Sequence, residues 1–291
     1  MCPRGIVVGC GVWWEKQRGE IMDLGLKGKT ALVMAGSRGF GRAVAVELAS
    51  EGARVALCAR NSDDLALAAE DVREAGQMVW GGMSGTVLAQ TVDVTDDSAV
   101  RDFVARTESE LGPIDLMLVN AGGPPAGNFE DTDLQVWKKA YELTLESAIR
   151  LCGIVLPGMK QRGWGRIVQI TSISVVQPVE NLLLSSVLRP AVQALTKTLA
   201  DEAAAFGVTV NSVAPGFHDT SAVQRLINRK MEQTGCTADE VVSGWTEEIP
   251  MGRLGKPEEL AALVLFLMSE RAGYLTGQCI VSDGGWVKKT F

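Results

Sequence analysis

At 291 residues the chain is long enough for one large domain or two small ones around a substantial core. Its hydrophobic content of 46% and charged content of 22% are those of an ordinary globular protein, and a net charge of −7 with scattered Lys and Arg argues against a nucleic-acid partner. Six cysteines without a CxxC pair and a single histidine, His218, offer no metal cluster and fit reduced thiols in a cytoplasm.

The N-terminal segment Gly5 to Trp14 is apolar but short, and it lacks a small-residue cleavage pattern before Glu15. Arg18-Gly19-Glu20 can be encoded by AGAGGAGAA, which contains a ribosome-binding sequence just ahead of Met22. Residues 1–21 are therefore expected to be a non-native or disordered extension, with translation starting at Met22. The longest apolar run, Ala261 to Met268, is too short to span a bilayer.

From there the chain alternates strands and helices. Thr30 to Ser50 is a buried strand, a glycine-rich turn (Gly36-Ser37-Arg38-Gly39-Phe40-Gly41) and a helix. Such a turn lets a ligand approach the backbone, and the following helix aims free N–H groups and its positive dipole end at a phosphate. Arg54 to Ala59 is a second strand ending at Arg60, and Asn61 and Ser62 cap a helix to about Ala75. Gln77 to Gly85 reads as a glycine-broken loop. Thr86 to Val92 is a third strand, with Asp93-Val94-Thr95-Asp96 at its end and a helix over Asp97 to Glu110. Ile114 to Val119 is a fourth strand ending at Asn120-Ala121-Gly122, and one long helical region is expected over Asp131 to Gln161. Trp164 to Ile170 is a fifth strand ending in Thr171-Ser172. A long helix covers Asn181 to Phe206, and a sixth strand spans Gly207 to Val213. A polar excursion over Thr220 to Ile249, a helix at Pro257 to Ser269 and a strand at Gln278 to Ser282 complete the pattern.

Strands that read as continuous apolar runs are covered on both faces, so the expected fold is α/β. It is a single domain with a doubly wound parallel sheet of about seven strands and helices on both faces. Ligands in such sheets bind beyond the carboxyl ends of the strands, where every distinctive short motif of this chain falls.

AGSRGFG (35–41), DVTD (93–96), NAG (120–122), GRIVQITS (165–172), AVQALTKTLADEAAAFGVTVNSVAPG (191–216), PMGRLGKPEEL (250–260) and LTGQCIVSDGGW (275–286) jointly resemble the short-chain dehydrogenase/reductase family, nearest the 3-oxoacyl-carrier-protein reductases. The resemblance covers about Leu26 to Val287 and implies a Rossmann domain over 22–291 with a substrate lid at 220–249. It implies Asp93 and Val94 at the adenine, Asn120-Ala121-Gly122 along the dinucleotide groove, and Pro215, Gly216 and Thr220 at the nicotinamide. It also implies a small-molecule carbonyl or thioester substrate and a homotetramer or dimer. An acidic residue after strand two would select NAD; Ala59-Arg60 stands there and Arg38 lies in the turn, so NADP is favoured over NAD.

Three departures follow from the same alignment. Ala35 occupies the place of the turn's first glycine, where its methyl group is expected to crowd the turn. Ser185 and Arg189 fall at the Tyr and Lys places of the family's Tyr-x-x-x-Lys pair; Ser185 lies thirteen residues after Ser172, the family's spacing. Thr144 falls at the asparagine place. The catalytic set is thus expected to be Ser172, Ser185, Arg189 and Thr144, with Arg189 also clamping the cofactor ribose. A serine is a far poorer acid than a tyrosine, so His218 and Tyr141 are candidate proton donors, with Glu180 behind them. The expected function is an NADP-dependent oxidoreductase on a carbonyl or alcohol with an atypical site. The alternatives are an inactive NADP-binding scaffold or sensor, and a different reaction, dehydration or imine reduction, in the same fold.

Overall fold

A computed structural model describes residues 22–80 and 87–290. The expected extension 1–21 lies outside the described residues, as does the Gly81 to Gly85 part of the expected loop. Seven strands form one parallel sheet in the order β3-β2-β1-β4-β5-β6-β7. They are β1 (Thr30–Val33), β2 (Arg54–Ala59), β3 (Val87–Thr91), β4 (Leu116–Val119), β5 (Gly165–Ile170), β6 (Val208–Pro215) and β7 (Cys279–Ser282).

Alternation along each strand splits the core into two layers. Ala31 and Val33 of β1 face α1 (Gly39–Ser50), whose Val44 and Leu48 are fully buried. The same layer holds α2 (Ser62–Trp80) and, after the long crossovers, α9 (Pro257–Met268). Leu32 and Met34 face the other way, toward Phe103 of α3 (Asp97–Leu111), Leu151 of α5 (Ser147–Arg162) and Val192 of α6 (Leu183–Ala203). Between β4 and β5 along the chain, α4 (Leu134–Tyr141) leads into α5; α7 (Ser221–Thr234) and α8 (Ala238–Glu248) form the lid.

β1 pairs with β2 on one side and with β4 on the other. The winding reverses there, so a crevice opens at their carboxyl ends.

Three elements differ from the sequence expectation. α2 continues to Trp80 rather than ending near Ala75, because Val72 and Ala75 are buried against the sheet and their packing outweighs Gly76. β6 runs on to Pro215, which pairs in register with Ser282; the proline has no N–H, and the next residue, Gly216, donates to the Ser282 carbonyl at 2.8 Å. The single helix expected over Asp131 to Gln161 begins at Leu134 and is interrupted by a π-helical turn, Glu142–Glu146, that packs against α6.

Candidate active site

The crevice at the switch point is one cleft with two ends. A cavity of about 510 Å³ lies over β1, β2 and β4, and another of about 510 Å³ lies over β5 and β6. Phe40, Asn120, Ala121 and Thr220 line both, so the two communicate.

At the first end the backbone is shaped for a phosphate. Arg38 is the N-cap of α1, its side chain makes no capping bond, and the first turn holds no acidic residue. The free N–H groups and dipole of that turn therefore face the cleft uncompensated. Ser37, Arg38, Gly39 and Phe40 line this end, with Arg60 and Val94 from the neighbouring strand ends and Gly122 from β4's loop. Gly36 and Gly41 do not line it; they make the turn possible. A Cβ on Gly41 would stand 2.2 Å from the Ala35 carbonyl oxygen, so only glycine lets α1 start that close to β1. Ala35 departs from expectation in kind. Its cost is a left-handed backbone, φ +49°, a conformation that glycine adopts freely and alanine does not. Asp93 is not among the lining residues either: its Oδ1 accepts from the Thr95 N–H (2.9 Å) and hydroxyl (2.8 Å). Asp64 was not anticipated. It lines this end and accepts a hydrogen bond from Arg38 Nη2 at 2.7 Å, while Asn61 Oδ1 accepts from the Asp64 N–H. The only sequence signal was its position in the first turn of α2.

The residues present fit a dinucleotide phosphate chain and a 2′-phosphate. The donors come from backbone, Arg38 and Arg60, and no acidic residue stands at Arg60's place at the end of β2.

The second end gathers Ser172, Ser185, Arg189, Pro215 and Gly216. Ser172 caps a short 3-10 turn, and its Oγ accepts from the Ser174 N–H at 3.2 Å, which leaves its own O–H free to donate. Ser185 Oγ is 2.9 Å from Ser174 Oγ. Arg189 is 7% exposed. Its Nη1 donates to the Ile170 carbonyl, and its Nε has no partner. Burial pulls its pKa down to about 10, which still leaves it charged at neutral pH. Pro190, next in α6, removes the N–H that would bond the Ser186 carbonyl.

Four expected participants stand elsewhere. Thr144 is buried in the π turn with an unpartnered Oγ1, and lines neither end. His218 packs against Gly255 behind the cleft. Its Nδ1 is 3.3 Å from the Gly216 carbonyl and its Nε2 is 3.5 Å from Ser282 Oγ. Burial lowers its pKa, so it is a neutral imidazole at pH 7 and not a ready acid. Tyr141 is 41% exposed and lines neither end. Glu180 pairs with Lys230 at 3.6 Å. The lid contributes Arg225 and Arg229.

A family model described as enoyl-(acyl-carrier-protein) reductase matches residues 34–287. The chain belongs to the short-chain dehydrogenase/reductase family. Acetoacetyl-CoA reductase of Rhizobium meliloti is 34% identical over 257 residues, 88% of this chain and 98% of that protein. The 2-keto-3-deoxy-L-fuconate dehydrogenase of Xanthomonas campestris is 32% identical over 262 residues, 90% of this chain and 81% of that one. L-sorbose reductase of Gluconobacter frateurii, solved with NADPH and L-sorbose, superposes with a TM-score of 0.85 at 32% identity, covering 92% of this chain and all of that one. A variant of actinorhodin polyketide ketoreductase, solved with NADPH, gives 0.84 at 30% identity, covering 90% and 98%. The family's fold is the one described above.

Proposed function

We propose that the protein is an NADP-dependent oxidoreductase that reduces a carbonyl or oxidises the corresponding alcohol. The observation that carries this reading is the continuous cleft. It joins a phosphate-ready turn flanked by Arg38 and Arg60 to a floor that bears Ser172, Ser185 and Arg189. NADP, when bound, supplies or accepts the hydride. Arg38 and Arg60 bind the 2′-phosphate, and the N–H groups of α1 hold the phosphate chain. Asn120 and Ala121 line the groove between the two ends. Arg189 clamps the nicotinamide ribose and adds positive charge beside the reacting carbonyl. The Ser172 hydroxyl donates to the carbonyl oxygen, favouring the charge that develops there during reduction. No residue lining this end gives up a proton at neutral pH, so water protonates the alkoxide. Ser185 keeps the space open for that water.

NADPH titration followed by NADPH oxidation with ketones, β-oxoacyl thioesters and imines tests the reading. Tight NADPH binding without turnover in any class overturns it in favour of a cofactor-binding scaffold.

A cytoplasmic homo-oligomer fits the same reading. Among the described residues no helix is long and apolar enough to cross a membrane. Ile149 of α5 and Val187 of α6 are half-exposed on the long helices, and light scattering after gel filtration reads the assembly.

A further inference from the structure

The lid brings positive charge to a cavity that has no acid to match it. Arg225 and Arg229 lie four residues apart on α7, hence on one face of the helix, and both line the reaction end. Arg189 is the third cation there, and no Asp or Glu lines that cavity. Arg225 has no hydrogen bond or ion pair with any described residue. Arg229 gives Nη1 to the Ala126 carbonyl across the cleft mouth and has no carboxylate partner. The acids nearest to hand are already engaged. Arg229 also lines an adjoining cavity of about 220 Å³, whose two carboxylates are Glu180 and Glu248. Glu180 pairs with Lys230, and Glu248 accepts from Trp286 Nε1 at 2.9 Å. Val179, Leu182 and Leu226 make the wall between the arginines and the floor apolar. An arginine pair facing an acid-free, largely apolar space recognises a planar anion with two acceptor oxygens.

Resting on the oxidoreductase reading above, we propose that the substrate is an oxo acid (or the matching hydroxy acid). Its carboxylate is held by Arg229 and Arg225, and its carbonyl lies at Ser172. The phosphates of a coenzyme A thioester are the other source of negative charge. They sit a full pantetheine arm from the reacting carbonyl, whereas Arg229 shares one cavity of about 510 Å³ with Ser172.

The test compares a β-oxo acid, its methyl ester and its coenzyme A thioester in NADPH oxidation by wild type and by Arg225→Met/Arg229→Met. For wild type, kcat/KM for the acid is expected to exceed that for the ester about 10- to 100-fold, carried mainly by KM. The double variant brings that ratio to about one, and Arg229→Lys keeps part of it. Equal use of acid and ester by wild type overturns the proposal, as does turnover of the thioester alone. A ratio that survives in Arg225→Met while NADPH affinity drops assigns Arg225 to the cofactor and overturns the pair. Were no carbonyl reduced at all, the redox reading would fail by itself. The anion site is then decided by Trp245 and Trp286, which line the adjoining cavity with Arg229. Hexanoate, and not methyl hexanoate, is expected to change their fluorescence in the NADP-loaded wild type and not in the double variant. Equal responses overturn the proposal.

Discussion

The two ends of the cleft are of similar volume and of opposite chemistry. The end over β1 and β2 offers the free N-terminus of α1 and polar side chains whose partners are local: Arg38 donates to Asp64, and beside the cavity Asp93 accepts from Thr95. The end over β5 and β6 offers serine hydroxyls and three arginines, and no lining side chain titrates near neutrality. One end is built to hold, and the other is built to attract negative charge without protonating it. The comparison can be broken at either end.

The largest effect is expected from Ser185→Tyr with Arg189→Lys. Ser185 already lines the cavity, so a phenol there reaches the space above Ser172, and an ammonium one turn on lowers its pKa. Ketone reduction should rise by roughly 10²- to 10⁴-fold, the worth of a placed general acid. No gain in steady-state kcat/KM would mean the reaction end is rebuilt for other chemistry. Ser172→Ala should lower kcat by roughly 10²- to 10³-fold with NADPH affinity intact, measured by turnover and by fluorescence titration. Arg60→Glu acts at the opposite end. NADPH affinity should weaken by about 10- to 100-fold while NADH is barely affected, and equal loss for both cofactors would move Arg60 out of the phosphate site.

A pH profile separates the ends again. Arg189 is a base whose pKa burial lowers to about 10, so it is charged below that pH and neutral above it. Burial disfavours its charged form, so losing the proton costs the ligand-free fold nothing, and stability from this group rises as pH climbs past 10. Carbonyl reduction should instead decline there as Arg189 loses its charge. A flat kcat/KM profile through pH 10 would remove Arg189 from the reaction. The smallest effect is Ala35→Gly. Relief of the φ +49° backbone should stabilise the protein by about 1 kcal/mol, roughly 2–4 °C in Tm by calorimetry, with little change in turnover.

What the sequence made legible were the strand-end motifs, because a parallel sheet carries every such motif to one edge whatever the helices do. Ser172, Asn120, Pro215 and the turn at Gly39 lie on the cleft for that reason. What stayed hidden depends on contacts across elements. Asp64 enters the cofactor end only because α2 starts beside α1, and Arg225 and Arg229 reach the cavity only because the lid folds over it. His218, a candidate proton donor from its place after Gly216, is buried by the bridge to Gly255.

The π turn at Glu142–Glu146 joins α4 to α5. Such a turn holds one residue more than the α-helical turn it replaces, so α5 is rotated by about 100° relative to a straight continuation of α4. Deleting a single residue between them should restore a regular helix and swing α5 out of register with the sheet.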